Sequence, residues 1–281
     1  MPFVFSIEYF AILSVSHNLK SANQPIMVKT HKENRIGYIT LNRPEKRNAL
    51  GPEMVKGLSE AFDFFSDDEE VKLIVLKAEG KAFCAGADLA YLKDLQSYTF
   101  EENLEDSRRL MELFTKIYEY PKVVIAQVQG HAIAGGCGLM TVCDFAFSVP
   151  EALFGYTEVR IGFVPALVSV FLNEQIGGAK TQELLLHGGL IEAHQAKAYG
   201  LVNEIYSPDE LESQVDSFAQ ELIEKNSTNS MSQTKALLRQ LNREERNKNL
   251  QDAAKLNAEV RAHPDCVHGI SSFLEKKKPQ W

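Results

Sequence analysis

Glu158 is a lone carboxylate set among Phe154, Gly155, Tyr156, Val159 and Ile161. Upstream, the small-residue turn Ala134-Gly135-Gly136 leads into an apolar, helix-like stretch from Cys137 to Cys143. Glycines at such a turn let a ligand approach the backbone closely, and the first N–H groups of a helix have no partners within it. Those donors, at the positive end of the helix dipole, suit a developing negative charge. A carboxylate in an apolar setting together with fixed N–H donors is the minimum for moving a proton beside a carbonyl and holding the resulting oxyanion. A plainer reading fits the same residues, with glycines for tight packing and a glutamate at the surface. Spacing alone does not choose between the two.

A second small-residue loop runs from Gly80 to Leu89 (GKAFCAGADL) and enters another helical tract. Ala87 sits where a backbone N–H would face a ligand, and Asp88 is placed to cap the helix that follows. An ordinary strand-to-helix turn accounts for that pattern equally well.

These loops need elements to hold them. Arg35 to Leu41 alternates apolar with small or polar residues and reads as a strand. The polar loop Asn42 to Arg47 leads to Asn48-Ala49-Leu50, and Gly51-Pro52 opens a helix with an apolar stripe of Met54, Leu58, Phe62 and Phe65. Val71 to Leu76 is a second strand. Strand, helix and strand in this order predict a parallel crossover. An amphipathic helix from Glu101 to Tyr118 turns Leu104, Leu110, Met111, Phe114 and Ile117 inward and stops before Pro121. The strand-like run Val123 to Val128 then leads into the turn at Gly135.

Beyond Glu158, Leu167 to Ile176 and Lys180 to Leu186 read as helices parted by Gly177-Gly178. Ile191 to Tyr199 reads as a helix and Leu201 to Ile205 as a strand. The sequence from Asp209 to Ala262 is helical, charged outside with periodic leucines. The fold class is therefore α/β with a helical C-terminal part. Residues 1–26 are expected to be an N-terminal extension, a mobile arm or an appended or mis-started segment. Residues 27–205 form the core that carries the site, and residues 206–281 the helical region.

At 281 residues and 44% hydrophobic content the chain can bury a full core. A net charge of −8 with scattered Lys and Arg argues against a nucleic-acid surface, which needs a basic face to neutralise phosphates. The four cysteines show no C-x-x-C or His-rich ligand spacing, so buried thiols in a reducing compartment are expected and no metal is. No apolar run is long enough to span a membrane, and Phe3 to Val15 lacks the basic start and cleavage site of a secretory signal. A cytoplasmic protein is expected.

Five motifs stand in register: Asn42-Arg43-Pro44, Asn48-Ala49-Leu50, Phe83 to Asp88, Gly130 to Asp144 and Phe154 to Glu158. With them the chain resembles the enoyl-CoA hydratase/isomerase (crotonase) superfamily from about Met27 to Lys278. The resemblance implies a spiral of repeated ββα units with a C-terminal helical region that assembles trimers, often paired into hexamers. It implies an acyl-CoA substrate, with no permanently bound cofactor and the acyl group carried as a coenzyme A thioester. Carried over by position, the N–H groups of Ala87 and Gly135 form the oxyanion hole and Glu158 is the catalytic carboxylate. Ala49 and Ala85 border the adenine end of the CoA. Gly86, Asp88, Leu89, Gly136, Gly138, Tyr156 and Ala166 belong to the substrate's surroundings. Phe273 and Lys276 match a tail that in relatives reaches a neighbouring subunit's CoA site.

The departure from the pattern is Gly138, where two-carboxylate hydratases carry their other glutamate. Three readings survive. Glu158 alone is acid and base, as hydratase or isomerase; a carboxylate from the helix carrying Glu101 and Glu112 completes the site; or the protein binds CoA thioesters without catalysis, as a CoA-binding or RNA-associated subunit. Glycine at 138 and the run from Thr157 to Ala166 are similar to hydratases of the methylglutaconyl-CoA type, from leucine degradation. In that reading Arg160 meets a distal carboxylate; otherwise Arg160 is exposed or lies between subunits. His131 is expected to be a hydrogen-bonded core side chain, and Cys137 and Cys143 to be packing.

Overall fold

The computed structural model describes residues 26–281. The expected N-terminal extension lies outside the described residues except for Ile26, as does the side chain of Leu89.

The described chain opens on a hairpin that sequence reading had found only in half. Strands β1 (Val28–Glu33) and β2 (Ile36–Leu41) pair antiparallel across Asn34 and Arg35, both at positive φ, 48° and 67°. That conformation is what a two-residue hairpin turn demands, and here it is met without glycine. β1 is polar and mostly exposed, which suits an edge strand and hid it from a search for apolar alternation.

From β2 the chain passes through α1 (Pro52–Ser66) to β3 (Leu73–Ala78), which lies parallel to β2. The expected crossover is thus present. A repeating pattern follows. β3 is succeeded by β4 (Ala82–Cys84) and the helices α2 (Leu89–Leu95) and α3 (Phe100–Tyr118). Next come β5 (Val123–Val128), β6 (His131–Ile133) and α4 (Gly135–Thr141), then β7 (Phe145–Ser148), β8 (Leu153–Gly155) and α5 (Ala166–His187). Each turn gives one strand to each of two sheets and then turns helical. α5 bears the predicted break: Gly177 stands at φ 76°, ψ 163° within it.

The chain continues through β9 (Ile191–Glu192), α6 (Ala193–Tyr199) and β10 (Glu204–Ile205), the last shorter than the expected strand from Leu201. The C-terminal part consists of α7 (Leu211–Lys225), α8 (Thr228–Gln240), α9 (Arg243–Val260) and α10 (Pro264–Leu274). The larger sheet has the order β1-β2-β3-β5-β7-β10 and the smaller β4-β6-β8-β9. All pairings are parallel except those of the edge strands β1 and β9. Strands buried on both faces read as continuous apolar runs, as Leu73 to Leu76 and Val123 to Ala126 do. The core spans both sheets and takes in Phe62, Phe83, Phe114, Phe154 and Phe171.

Successive strands of the small sheet, β4, β6 and β8, run side by side and end together. Just beyond those ends come Ala87, Gly135 and Glu158. The carboxyl ends of parallel strands are where open α/β sheets bind ligands.

Candidate active site

The donor loops come first. Leu50 makes an isolated parallel bridge with Ala87: Leu50 N–H donates to the Gly86 carbonyl at 2.7 Å, and Asp88 N–H donates to the Leu50 carbonyl at 2.8 Å. In a parallel ladder the residue opposite such a pair directs its own N–H away. The N–H of Ala87 is thereby turned from the bridge, and it donates to no partner among the described residues. Asp88 caps α2, its carboxylate accepting from the N–H groups of Ala90 and Tyr91, as its position predicted.

Gly135 is the first residue of α4, and its N–H is likewise without a partner among the described residues. Ala134 before it is held at φ 52°, ψ −125°, a conformation natural only to glycine, and its N–H donates to the Gly155 carbonyl at 2.7 Å. Close packing sets the two loops together. A side-chain carbon on Gly136 would lie 2.2 Å from the Cys84 carbonyl oxygen, so only glycine lets α4 start against the end of β4. A carbon on Gly86 would lie 3.7 Å from the Gly135 nitrogen.

Glu158 opens a short 3-10 turn, Glu158–Ile161, directly after β8. It is 8% exposed, and its Oε2 has no hydrogen-bond partner among the described residues. Burial pushes its carboxyl up to about 7, against a hydrogen bond from its own backbone N–H. A carboxyl in that range exchanges protons readily near neutrality. α10 buttresses this turn: a side-chain carbon on Gly269 would fall 2.3 Å from the Ile161 carbonyl oxygen.

One cavity of about 980 Å³ joins these parts. Its wall includes Ala87, Gly135 and Glu158, together with Ala49, Ala85, Asp88, Ala166 and Phe273. Phe273 therefore lines the cavity of its own chain. Gly86, Gly136, Gly138, Tyr156 and Lys276 are not among the residues of that wall, and the side chain of Leu89 lies outside the described residues. Gly86 and Gly136 sit beneath the donors. Tyr156 is fully buried behind α4, its hydroxyl 2.6 Å from Thr141 Oγ1, and Lys276 is exposed beyond α10.

Gly138 faces inward on α4. A side-chain carbon there would come within 2.3 Å of Val168 Cγ1 and 3.2 Å of Phe114 Cε2. Apolar side chains from α5 and α3 occupy the room a glutamate would need. α3 does bring carboxylates to the cavity, Asp106 and Glu112, but not Glu101. Asp106 accepts from the Tyr91 hydroxyl and pairs with Arg261 at 2.7 Å.

Arg160 is exposed and not among the residues of that wall, which matches its reading as an exposed or inter-subunit residue. His131 corrects an expectation. It accepts the Leu153 N–H on Nδ1, but it is exposed at the start of β6 and not in the core. All four cysteines are free and buried, and burial raises the thiols of Cys84 and Cys137 to about 12, which suits packing. Sequence reading missed Lys46, Arg47 and Lys56, exposed cations on the cavity wall, because the loop before Asn48 carried no pattern beyond polarity and Lys56 is an ordinary exposed residue of α1. It also missed Asn257 and Arg261 of the C-terminal helices; their spacing of one helical turn on a buried face was the available signal.

A family model described as enoyl-CoA hydratase/isomerase matches residues 31–281. A Thermus thermophilus protein provisionally named an enoyl-CoA hydratase is 44% identical over 255 residues, covering 91% of this chain and all of that protein. A crotonyl-CoA hydratase of Syntrophomonas wolfei is 30% identical, covering 88% of this chain and 94% of its own length. Among solved structures, an enoyl-CoA hydratase from Mycobacterium avium aligns with a TM-score of 0.81 at 29% identity, over 92% of this chain and 100% of that one.

Proposed function

The chain belongs to the enoyl-CoA hydratase/isomerase family, and from that premise we propose that it adds water across the double bond of an α,β-unsaturated acyl-CoA thioester. The observation that carries this is the convergence on one cavity of a buried carboxyl held near neutrality and two backbone donors without partners among the described residues.

In this reading the thioester oxygen accepts from the N–H groups of Ala87 and Gly135. Donors already in place stabilise the enolate by about 3–4 kcal/mol each, because they need not reorient as charge develops. Ionised Glu158 takes a proton from water, whose oxygen bonds to Cβ. The electrons of the double bond pass to the thioester as an enolate, and Glu158 returns the proton to Cα. The product is a 3-hydroxyacyl thioester, with Glu158 regenerated. No second glutamate enters, which agrees with the filled space at Gly138.

Lys46, Arg47 and Lys56, exposed on the cavity wall, are suited to the phosphates of coenzyme A. No cofactor beyond the substrate's own CoA is required. Exposed leucines at 237, 238 and 241, each more than half accessible, suit a contact with another copy of the chain, and a homotrimer or a dimer of trimers is the assembly the family resemblance implies, which light scattering would measure. Among the described residues no helix is long and apolar enough to cross a membrane.

Isomerisation is the second reading, since Glu158 alone suffices to shuttle a proton between carbons; Glu112 of α3, on the same wall, is the carboxylate that would assist it. For the ester itself, 3-methylglutaconyl-CoA is the finer reading by resemblance alone, through Gly138 and the run from Thr157 to Ala166; its distal carboxylate is disfavoured by Asp106 on the cavity wall and gains nothing from Arg160, which lies off it. The test is absorbance at the enoyl-thioester band with crotonyl-CoA and 3-methylglutaconyl-CoA, followed by product analysis. Formation of a 3-hydroxyacyl thioester is expected. A shifted double bond would replace hydratase by isomerase, and an unchanged band with tight binding would leave only a binding role.

A further inference from the structure

Eight buried polar side-chain atoms among the described residues have no hydrogen-bond partner, and three of them belong to residues on the wall of the single cavity that holds Glu158. One is Glu158 Oε2; the others are Asn257 Oδ1 and Arg261 Nε. Asn257 is 5% exposed and Arg261 7%. A buried donor or acceptor left unpaired is costly, and its appearance on a ligand cavity marks a place where a ligand supplies the missing partner.

The two residues stand one helical turn apart, with Asp106 and Asn103 against Arg261 and apolar side chains beyond. Leu92, Leu95, Phe163 and Ile270 line the same region between α2, α9 and α10. Its distance from the chemistry is short. Phe163 N–H donates to the Glu158 carbonyl at 3.0 Å, and the Arg261 guanidinium stands 5.8 Å from the Phe163 ring centre. The patch thus lies about one side chain beyond the turn that carries the acid/base.

Charge and bonding capacity then choose the ligand. Arg261 is already neutralised by Asp106 at 2.7 Å, and its Nη1 donates to Asn103 Oδ1 at 2.9 Å. The buried side-chain atoms of this pair left without a partner among the described residues are one donor, Arg261 Nε–H, and one acceptor, Asn257 Oδ1. A hydroxyl oxygen accepts from the first while its hydrogen goes to the second. A carboxylate would bring an uncompensated charge beside Asp106, and a plain alkyl chain would leave both atoms unpaired. Resting on the acyl-thioester reading above, we propose that Asn257 and Arg261 select an acyl chain bearing a hydroxyl group on the far side of the double bond from the thioester.

The test compares CoA esters of matched chain length, graded in size, whose acyl chains end in methyl, hydroxyl or carboxylate. Saturated esters are titrated by calorimetry, which needs no turnover, and the 2-enoyl esters are assayed for kcat/KM. With the unaltered protein the hydroxylated ester is expected to bind at least about tenfold more tightly than the methyl ester at one chain length. Asn257→Leu, close in size, should bring that ratio toward one. Equal binding of all three classes by the unaltered protein overturns the proposal. So does preference for the carboxylate, which would point to an acidic acyl tail instead. If the hydroxyl preference appears in binding but no ester is hydrated, the hydration reading fails and this one stands. If crotonyl-CoA is hydrated but no hydroxyl preference appears at any length, the reverse holds.

Discussion

Arg43 Nη1 donates to Asp88 Oδ2 at 2.7 Å, tying the Asn42-Arg43-Pro44 loop to the residue beside the Ala87 donor. Asp88 is 7% accessible at its side chain and spends its other oxygen on the start of α2. The pair fixes the peptide next to Ala87, and of the two only Asp88 lines the cavity. Arg43→Met keeps most of the aliphatic stem and removes the tie. We expect kcat to fall about tenfold, since small misplacements of oriented groups are expensive. A KM effect alone would mean that Arg43 contributes to binding and not to donor geometry.

Glu158→Gln should leave CoA-ester binding in place and lower kcat by about two to four orders of magnitude. In the unaltered protein kcat/KM should rise with pH through about 7, because water activation needs the ionised carboxylate. Stopped-flow measurements at the enoyl band would follow both. Turnover that survives the substitution removes Glu158 from the mechanism.

The same group links stability to pH. Its folded value, about 7, lies above the ordinary carboxyl value of 4.5, so the folded chain holds the proton more tightly than the unfolded one. Stability attributable to it is full below pH 4.5, declines as pH rises through about 7, and by pH 8 is lower by roughly 3 kcal/mol. Glu158→Gln abolishes that loss. Its denaturant midpoint should therefore equal that of the parent near pH 4 and exceed it at pH 8. Parallel midpoints across this range would contradict a raised carboxyl.

Gly138→Glu should not create a second acid/base. Its side chain would begin 2.3 Å from Val168 Cγ1, so overpacking and a buried charge together should cost about 3 kcal/mol or more. Adding Val168→Gly should recover part of that loss. Thermal unfolding of the single and double variants would show it, and a single variant as stable as the parent would refute the packing argument.

Ala134 sits at φ 52°, ψ −125°, where an alanine is strained. Ala134→Gly should stabilise the fold by about 1 kcal/mol, the relief of strain exceeding the added chain entropy. Urea unfolding would detect this. A destabilised variant would mean that the Cβ of Ala134 packs more favourably than its backbone is strained.

The donor loops and Glu158 were legible in the sequence because their chemistry is local. A small-residue turn before a helix is visible in a few consecutive residues, as at Ala134-Gly135-Gly136 and at Ala85-Gly86-Ala87. The crossover, the break at Gly177 and the Asp88 cap were visible for the same reason. β1 was not, since an exposed edge strand carries little apolar alternation, and the seating of Phe273 on its own chain's cavity depends on contacts between distant segments. Asn257 and Arg261 were hidden by long separation too: nothing near them in sequence says that α9 would close a cavity opened by β4, β6 and β8.

The filled space beside Gly138 also bears on how such a site can change over generations. A chain with a valine lodged against α4 does not accept a glutamate at 138 in one viable step, because the incoming side chain meets Val168 first. Shrinking Val168 beforehand would open a void with no compensating gain. Each half of the exchange is unfavourable without the other, so single-residue drift keeps position 138 free of a carboxylate.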